Sequence, residues 1–352
     1  MPAHSVHVFS VVHDLKFSDL SNSYAFKSVD CRLYRLLSLP PFRPFFYLYI
    51  ILIFLSKFSS LPRYVLCFGD LPILLASPVA LFCLLFRGIF LTPFFVSSFR
   101  NDPLTLDLAR KYIYSLLLSC FDLSTTNSSS AARFFSRSPF CFSSVTCLYN
   151  PLPSSPAFKP SSEQRISFSH LKLLSVSRLV PQKNVSAMIT LVSILTKNLQ
   201  TPVSLILVGD GPELVALRRL SRRLDVDHCV EFLGSQDYLS ISSLMEQCHA
   251  LLHFSLWDGI PNTVLEALVH SLPVFAYDSP HSSLSDLKRF SAPIYFFDSF
   301  DPDSQLTDFL AFLYGSILDP TYYKRSLGFV RSYSGSTCLH SFVSRAQGLN
   351  CT

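Results

Sequence analysis

Asp258 and Glu266, with seven residues between them in Trp257-Asp-Gly-Ile-Pro-Asn-Thr-Val-Leu-Glu266-Ala-Leu, are the pair in this chain best placed to do chemistry. The apolar flanks at 250–255 and 272–278 read as buried strands, and the stretch between them as a Gly/Pro/Asn loop that opens a helix at Asn262. Such a loop can turn several backbone N–H groups and the positive end of a helix toward a phosphate. Carboxylates on either side then reach hydroxyl groups, which is the layout of a sugar–diphosphate–nucleoside. The same residues carry a second reading. Thr263-x-x-Glu266 has the spacing of a capping box, worth about 1 kcal/mol to the helix and nothing to chemistry. This segment alone leaves both readings open.

Two cations precede it. In Lys172-Leu-Leu-Ser-Val-Ser-Arg178-Leu-Val-Pro-Gln-Lys183-Asn-Val, an apolar strand ends at Ser177, and a helix carrying Val185, Met188, Ile189 and Val192 follows. Arg178 therefore falls at the carboxyl end of a strand and Lys183 at the mouth of a helix, where open parallel sheets bind ligands. Arg offers a diphosphate a fork and Lys a point charge; a solvated basic loop has the same spelling. Val203-Ser-Leu-Ile-Leu-Val-Gly209-Asp-Gly211-Pro-Glu213 is a further strand and tight turn, with Pro early in a helix that carries Leu214, Leu217 and Leu220. On its own Gly-x-Gly is equally a structural turn. Cys229-Val-Glu-Phe-Leu-Gly234 is a short strand, followed by a helix near 238–248. This alternation predicts a doubly wound parallel α/β sheet.

In this order the pieces resemble the nucleotide-binding domain of the retaining family-4 glycosyltransferases (glycosyl transferases group 1). Their fold is GT-B, two Rossmann-like domains facing a cleft. Ser-Arg-Leu-x3-Lys at 177–183, Val208-Gly-Asp-Gly-Pro-Glu213, Val230-Glu-Phe-Leu-Gly234 and Asp258-Gly-Ile-Pro-Asn-x3-Glu266-Ala-Leu carry the resemblance, over about 171–278. It implies that Arg178 and Lys183 hold the diphosphate of a UDP- or GDP-linked sugar and stabilise charge on the leaving group. Asp258 would face the sugar and Glu266 the ribose hydroxyls. The backbone of Gly259, Ile260, Pro261, Asn262, Thr263 and Val264 would complete the phosphate cradle, with Ser177, Gly209, Gly211 and Gly234 as further donor-binding positions. No metal or other cofactor is implied. Asp225-Val-Asp227 and Asp301-Pro-Asp303 read as solvated turns. The chain departs from the family pattern in Asp258 for Glu, in Ser177 and Ser271 for Gly, and in Ser279-Pro-His-Ser-Ser-Leu for a Gly-rich turn. Each Ser adds a side chain where close backbone approach to the ligand is expected.

The 352-residue length suits two domains: an acceptor-side domain over 1–160, a nucleotide-sugar domain over 161–335 and a tail over 336–352. The net charge of +5 favours phosphorylated ligands and anionic surfaces. Lys and Arg are scattered, which argues against nucleic acid. The ten cysteines include no Cys-x-x-Cys, which predicts reduced thiols and no zinc site. Three sequons, at Asn127, Asn184 and Asn350, read as chance. Met1-Pro-Ala-His-Ser does not open a secretory signal.

The first half is rich in Phe and Leu and has no glycine before Gly69. Its apolar runs at 44–55 and 71–86 fall short of the ~20 residues that cross a bilayer, and Pro72 and Pro78 interrupt the second. They read as buried helices or as a surface resting on a membrane. Strands are expected at 6–12, 89–97, 122–128 and 145–150, helices near 43–57, 71–86 and 106–118, a turn at 98–103 and a polar linker at 151–162. Ser98-Phe-Arg100-Asn101-Asp-Pro and Leu148-Tyr-Asn-Pro151 resemble segments of the family's acceptor domain, which makes Arg100 and Asn101 candidates for the acceptor side; a helix-capping turn at Asn101-Asp-Pro is the other reading. The family's opening strand and Gly-rich loop have no counterpart here. The resemblance as a whole implies a retaining transfer of sugar to a glycan or lipid-linked acceptor, in the cytoplasm at the inner face of a membrane. A catalytically impaired scaffold homologue and an integral membrane protein are the competing readings.

Overall fold

In the computed structural model of this chain the described residues are 7–9, 64–68, 70–85, 94–99, 103, 106–150, 169–319 and 321–334. The expected helix near 43–57, Arg100 and Asn101, the linker 151–162 and the tail 336–352 lie outside them. The chain divides into two compact units, Met1–Cys147 and Leu148–Thr352.

The first unit holds five parallel strands in chain order: β1 (His7–Phe9), β2 (Tyr64–Phe68), β3 (Phe94–Phe99), β4 (Leu123–Thr126) and β5 (Val145–Cys147). Helix α1 (Asp70–Leu85) follows β2, α2 (Leu108–Leu118) follows β3 and α3 (Ser129–Arg137) follows β4. Two of the helices are capped as their sequences require. Asp107 accepts the amide of Arg110 at 2.8 Å and Ser128 that of Ala131 at 3.2 Å. The helix expected near 71–86 forms with both of its prolines inside it. Pro72 sits in the first turn, where its missing N–H has no helical acceptor, and the Ser77 hydroxyl donates to the Leu74 carbonyl that Pro78 leaves unpaired. Ile73, Ala80 and Cys83 turn inward to a core of Phe95, Phe99, Phe121 and Phe135. Of the strand expected over 89–97, residues 89–93 lie outside the described residues; β3 holds Phe94–Phe99, so Ser98 and Phe99 continue the strand where a turn was expected.

The second unit is doubly wound. Its six parallel strands are β6 (Leu171–Val176), β7 (Val203–Val208), β8 (Val230–Gly234), β9 (Ala250–His253), β11 (Val274–Tyr277) and β13 (Ile294–Phe297), in the order β13-β11-β9-β6-β7-β8. The chain starts at β6, steps outward to β8, then returns to the other side with β9. The strand order therefore reverses between β6 and β9, whose register is Leu173↔Ala250. Alternation along β6 feeds two cores. Leu171 and Leu173 face one, with Leu205 and Phe275; Leu174 and Val176 face the other, with Leu251 and Val274. The first core takes α4 (Val185–Asn198) and α8 (Pro302–Phe312), the second α7 (Asn262–Val269) and α9 (Tyr322–Ser334). A short parallel pair, β10 (Trp257–Asp258) and β12 (His281–Ser282), stands apart from the main sheet. Helices α5 (Leu214–Arg223) and α6 (Tyr238–Gln247) complete the alternation.

The units part before the expected boundary near 160, because 148–150 packs with the second unit. Tyr149 meets Phe290 and Tyr333 edge-on and tilted, and the Tyr333 hydroxyl donates to the Asn150 carbonyl at 2.8 Å. Among the described residues no helix is long and apolar enough to cross a membrane, and the cysteines are free.

Candidate functional site

The carboxyl ends of β6 and β9 flank the reversal of strand order, and the loops after them diverge there. The β6 loop carries Ser177 and Arg178, then a 3₁₀ turn over Pro181–Lys183. Asn184 takes the left-handed conformation (φ 48°) that starts α4, one that Asn tolerates better than most residues. The β9 loop carries Asp258 and leads into α7.

Three contacts stitch the two loops together. Lys183 Nζ forms an ion pair with Asp258 Oδ2. Gln182 donates from its side chain to the Trp257 carbonyl at 2.7 Å, and its own carbonyl accepts from Leu256 N at 2.9 Å. From the other side β12 fixes β10, with Ser283 N donating to the Asp258 carbonyl at 3.0 Å and the Ser279 hydroxyl donating to the Leu256 carbonyl. The Ser-rich stretch that stands for a Gly-rich turn therefore acts as a brace for Asp258. Arg178 is exposed, and its guanidinium has no hydrogen bond or ion pair among the described residues.

Helix α7 settles the capping question. Its N-cap position is Pro261, with no side-chain cap, and Thr263 lies inside the helix. Thr263 and Glu266 therefore do not form a capping box. The N–H groups of Asn262, Thr263 and Val264 have no acceptor among the described residues, while Leu265 N already bonds the Pro261 carbonyl at 3.3 Å. Gly259 and Ile260 form the approach to this end, with Ile260 buried. Asn150 holds it in place, donating from Nδ2 to the Ile260 carbonyl (3.0 Å) and to Asn262 Oδ1 (2.8 Å). Glu266 is half-buried one turn in; its carboxylate has no partner among the described residues, and burial pushes that carboxyl above the usual range.

The packing of the loop itself requires glycine at two of the expected donor-binding positions. Gly209 has φ +127°, and a Cβ there would sit 2.0 Å from the Ser177 carbonyl oxygen; at Gly211 it would sit 2.2 Å from that of Leu179. The Gly-Asp-Gly turn thus lets β7 pack its backbone directly under Arg178, with Leu179 N donating to the Asp210 carbonyl at 2.9 Å. Gly234 (φ +68°) accepts from Gly209 N at 2.8 Å. Ser271 lies at the other end of the sheet, ahead of β11, so the expectation that it crowds a ligand is wrong. It occupies the left-handed position (φ 51°) ending α7, where Leu272 N bonds the Ala267 carbonyl and Ser271 N that of Leu268. Asp225 takes the same left-handed position (φ 58°) after α5, and Asp301 caps α8.

Beneath Asp258 lies a residue the motif reading passed over. His253, the last residue of β9, is buried, and its Nε2 is 3.6 Å from Asp258 Oδ2. Burial drives its pKa down to about 4, with Lys183 adding to the effect and Asp258 opposing it. A histidine inside the apolar run Ala250-Leu-Leu-His-Phe was its signal. Asn150 stood within Leu148-Tyr-Asn-Pro151 but was given no role there, and nothing in the spelling of Gln182 announced its double contact.

The arrangement gathers an exposed Arg, uncapped helix amides and an unpaired carboxylate at a strand-order reversal. It suits an anion flanked by hydroxyls. Comparison with known proteins agrees in kind. Residues 162–286 match the family model "Glycosyl transferases group 1". An uncharacterised glycosyltransferase of Methanocaldococcus jannaschii is 36% identical over 74 residues, 21% of this chain and 18% of that protein's length. Among solved structures, the lipopolysaccharide outer core galactosyltransferase WaaB superposes with a TM-score of 0.62 at 17% identity, covering 86% of this chain and 79% of that one. Alr3699/HepE of Anabaena, solved in complex with UDP, gives 0.65 at 16% identity, covering 86% and 82%. Sucrose-phosphate synthase of Thermosynechococcus elongatus gives 0.64 at 14%, covering 91% and 78%. At these identities the structural likeness establishes the fold, which is GT-B. The family match and the fold together support glycosyl transfer.

Proposed function

We propose, from the match of residues 162–286 to the group 1 glycosyltransferases, that this chain is a retaining glycosyltransferase using a UDP- or GDP-linked sugar. The observation that carries the reading is the uncapped start of α7 at the strand-order reversal, with the unpaired Arg178 on the opposing loop. The diphosphate would lie on the amides of Asn262, Thr263 and Val264 and against Arg178 and Lys183. Glu266 would accept the ribose hydroxyls, and Asp258 would face the sugar. The acceptor hydroxyl would attack the anomeric carbon on the face the diphosphate leaves. The carbon–oxygen bond to the leaving phosphate breaks as the bond to the acceptor forms, and the acceptor's proton passes to the departing phosphate. Arg178 and the helix end would stabilise the charge that develops there. The neighbour solved with UDP makes UDP-sugars the first to test. The test is nucleotide release from UDP- and GDP-sugars with a glycan acceptor, with the product's anomeric configuration read by NMR. Retention supports the reading; inversion or no release counts against it.

The acceptor would be a glycan or lipid-linked saccharide. In the first unit, Ser98 Oγ and Asn127 Oδ1 are buried without a hydrogen-bond partner among the described residues, at the carboxyl ends of β3 and β4 and beside Arg100 and Asn101 in sequence. Unpartnered polar atoms at that edge suit a hydroxyl-bearing ligand. Peripheral contact with a membrane's inner face is the associated proposal. A groove of about 610 Å³ between α2 and α3 is lined by Lys111, Arg133 and Arg137 together with Tyr112 and Phe134, with no acidic side chain among the described residues that line it. Exposed Leu108, Ile113 and Leu116 lie alongside on α2. Cations beside exposed apolar groups suit an anionic lipid surface.

A further inference from the structure

His253 and Lys183 converge on one oxygen. Lys183 Nζ is paired with Asp258 Oδ2, and His253 Nε2 stands 3.6 Å from that same atom, too far for a hydrogen bond. His253 Nε2 is buried without a partner among the described residues. A buried polar nitrogen left unpaired is costly, so its place beside a carboxylate needs a reason. The backbone on either side is fixed: His253 ends a central strand, and Asp258 is clamped by Ser283 and β12. The lysine is the mobile member, a flexible chain on a turn. On the reading of this site as a nucleotide-sugar site, a diphosphate carries more charge than one carboxylate and draws the ammonium toward itself. Asp258 would then lose its cation while its side chain stayed 18% exposed.

We propose that His253 is a positioning residue for Asp258, donating from Nε2–H to Oδ2 when Lys183 engages the diphosphate. An approach of less than 1 Å would bring Nε2 from 3.6 Å to hydrogen-bond distance. Burial keeps the ring neutral near pH 7, so it serves as a neutral N–H and not as a second cation. The charged groups facing it are Asp258 on β10 and Lys183 on the turn before α4. The ring would hold the carboxylate in the orientation the sugar requires while leaving phosphate affinity to the other residues.

The test uses the full chain and four proteins: wild type, His253→Leu, His253→Gln and His253→Asn. Gln can place an N–H where Nε2 stands, and Asn cannot reach. UDP and GDP affinity is measured by calorimetry, and kcat and KM by nucleotide release from the sugar nucleotide. His253→Leu and His253→Asn are expected to bind nucleotide within threefold of wild type yet lose at least tenfold in kcat, with His253→Gln regaining most of it. Should the Leu variant fail to fold, the Gln–Asn pair still decides, since both are small amides. Turnover in His253→Asn within twofold of wild type, or equal loss in Gln and Asn, overturns the proposal. Failure of the underlying site reading shows separately, as a wild-type chain that binds neither UDP nor GDP, and it takes the proposal with it.

Discussion

Arg178 and Lys183 share a sign but differ in what their loss should cost. Lys183 neutralises a carboxylate that is mostly withdrawn from water, so Lys183→Ala should lower stability by about 1–3 kcal/mol as well as weakening nucleotide binding. Arg178 is exposed and unpaired, and Arg178→Ala should leave the melting temperature unchanged. Thermal denaturation of the two variants separates them; equal melting points would mean the Lys183–Asp258 pair contributes nothing. Glu266 offers a sharper contrast. Burial raises its folded-state carboxyl, so the ionised form costs stability above that raised value, and the cost vanishes below the unfolded value of 4.5. Glu266→Gln should therefore be at least as stable as wild type at pH 7, with the advantage gone below about pH 4.5, while nucleotide binding falls at least tenfold, about 1.4 kcal/mol. A less stable variant would place Glu266 in a structural role. The acids and cations were legible because chemistry requires those residue types at that spacing. Gln182 was not, because its contacts depend on how two loops meet.

At the scale of elements, turns carry the risk. Gly209 combines a φ that L-residues avoid with a backbone oxygen where a Cβ would go, so Gly209→Ala should cost more than about 2 kcal/mol and dislodge the Arg178 loop. Ser271 is the reverse case. It ends α7 in a left-handed conformation that glycine adopts freely, and Ser271→Gly should stabilise the chain by about 0.5–1 kcal/mol with nucleotide affinity unchanged. Chemical denaturation measures both, and a destabilised Ser271→Gly would show that the serine side chain matters there. The alternation of strand and helix in the second unit could be read from apolar runs and punctuating glycines. The capping box could not be judged that way, since Thr263-x-x-Glu266 is spelled correctly and only the helix start at Asn262 shows that Thr263 lies two residues past the N-cap. The helix around Pro78 was expected from its apolar run, but the Ser77 hydroxyl that takes up the Leu74 carbonyl is invisible to hydropathy.

For the whole molecule, the two units differ in design. Strand order in the second reverses beside the candidate site, whereas the five described strands of the first run in chain order. Length and the polar stretch after Pro151 pointed to two units, but the early division at Cys147 follows from Tyr149 and Asn150 docking on the second unit, a tertiary fact that composition does not carry. The membrane proposal also belongs to this scale. The apolar runs drew attention to 44–55 and 71–86, while the basic groove lies between α2 and α3. Replacing Lys111, Arg133 and Arg137 together by Gln should reduce co-sedimentation with anionic vesicles several-fold at low salt. Wild-type binding should fall as salt rises, since screening shortens charge interactions to about 3 Å at 1 M. Equal sedimentation with zwitterionic vesicles, or an unaffected triple variant, would remove the groove from the account.

The claim on which the rest depends is that a nucleoside diphosphate sits at the start of α7 opposite Arg178. Calorimetric titration of the full chain with UDP and with GDP, alongside Arg178→Ala, tests it most directly. One nucleotide should bind the wild-type chain, and Arg178→Ala should lose about 1.5–3 kcal/mol of that affinity, the worth of a charge-assisted contact, at an unchanged melting temperature. Binding of neither nucleotide, or equal affinity in the variant, would contradict it.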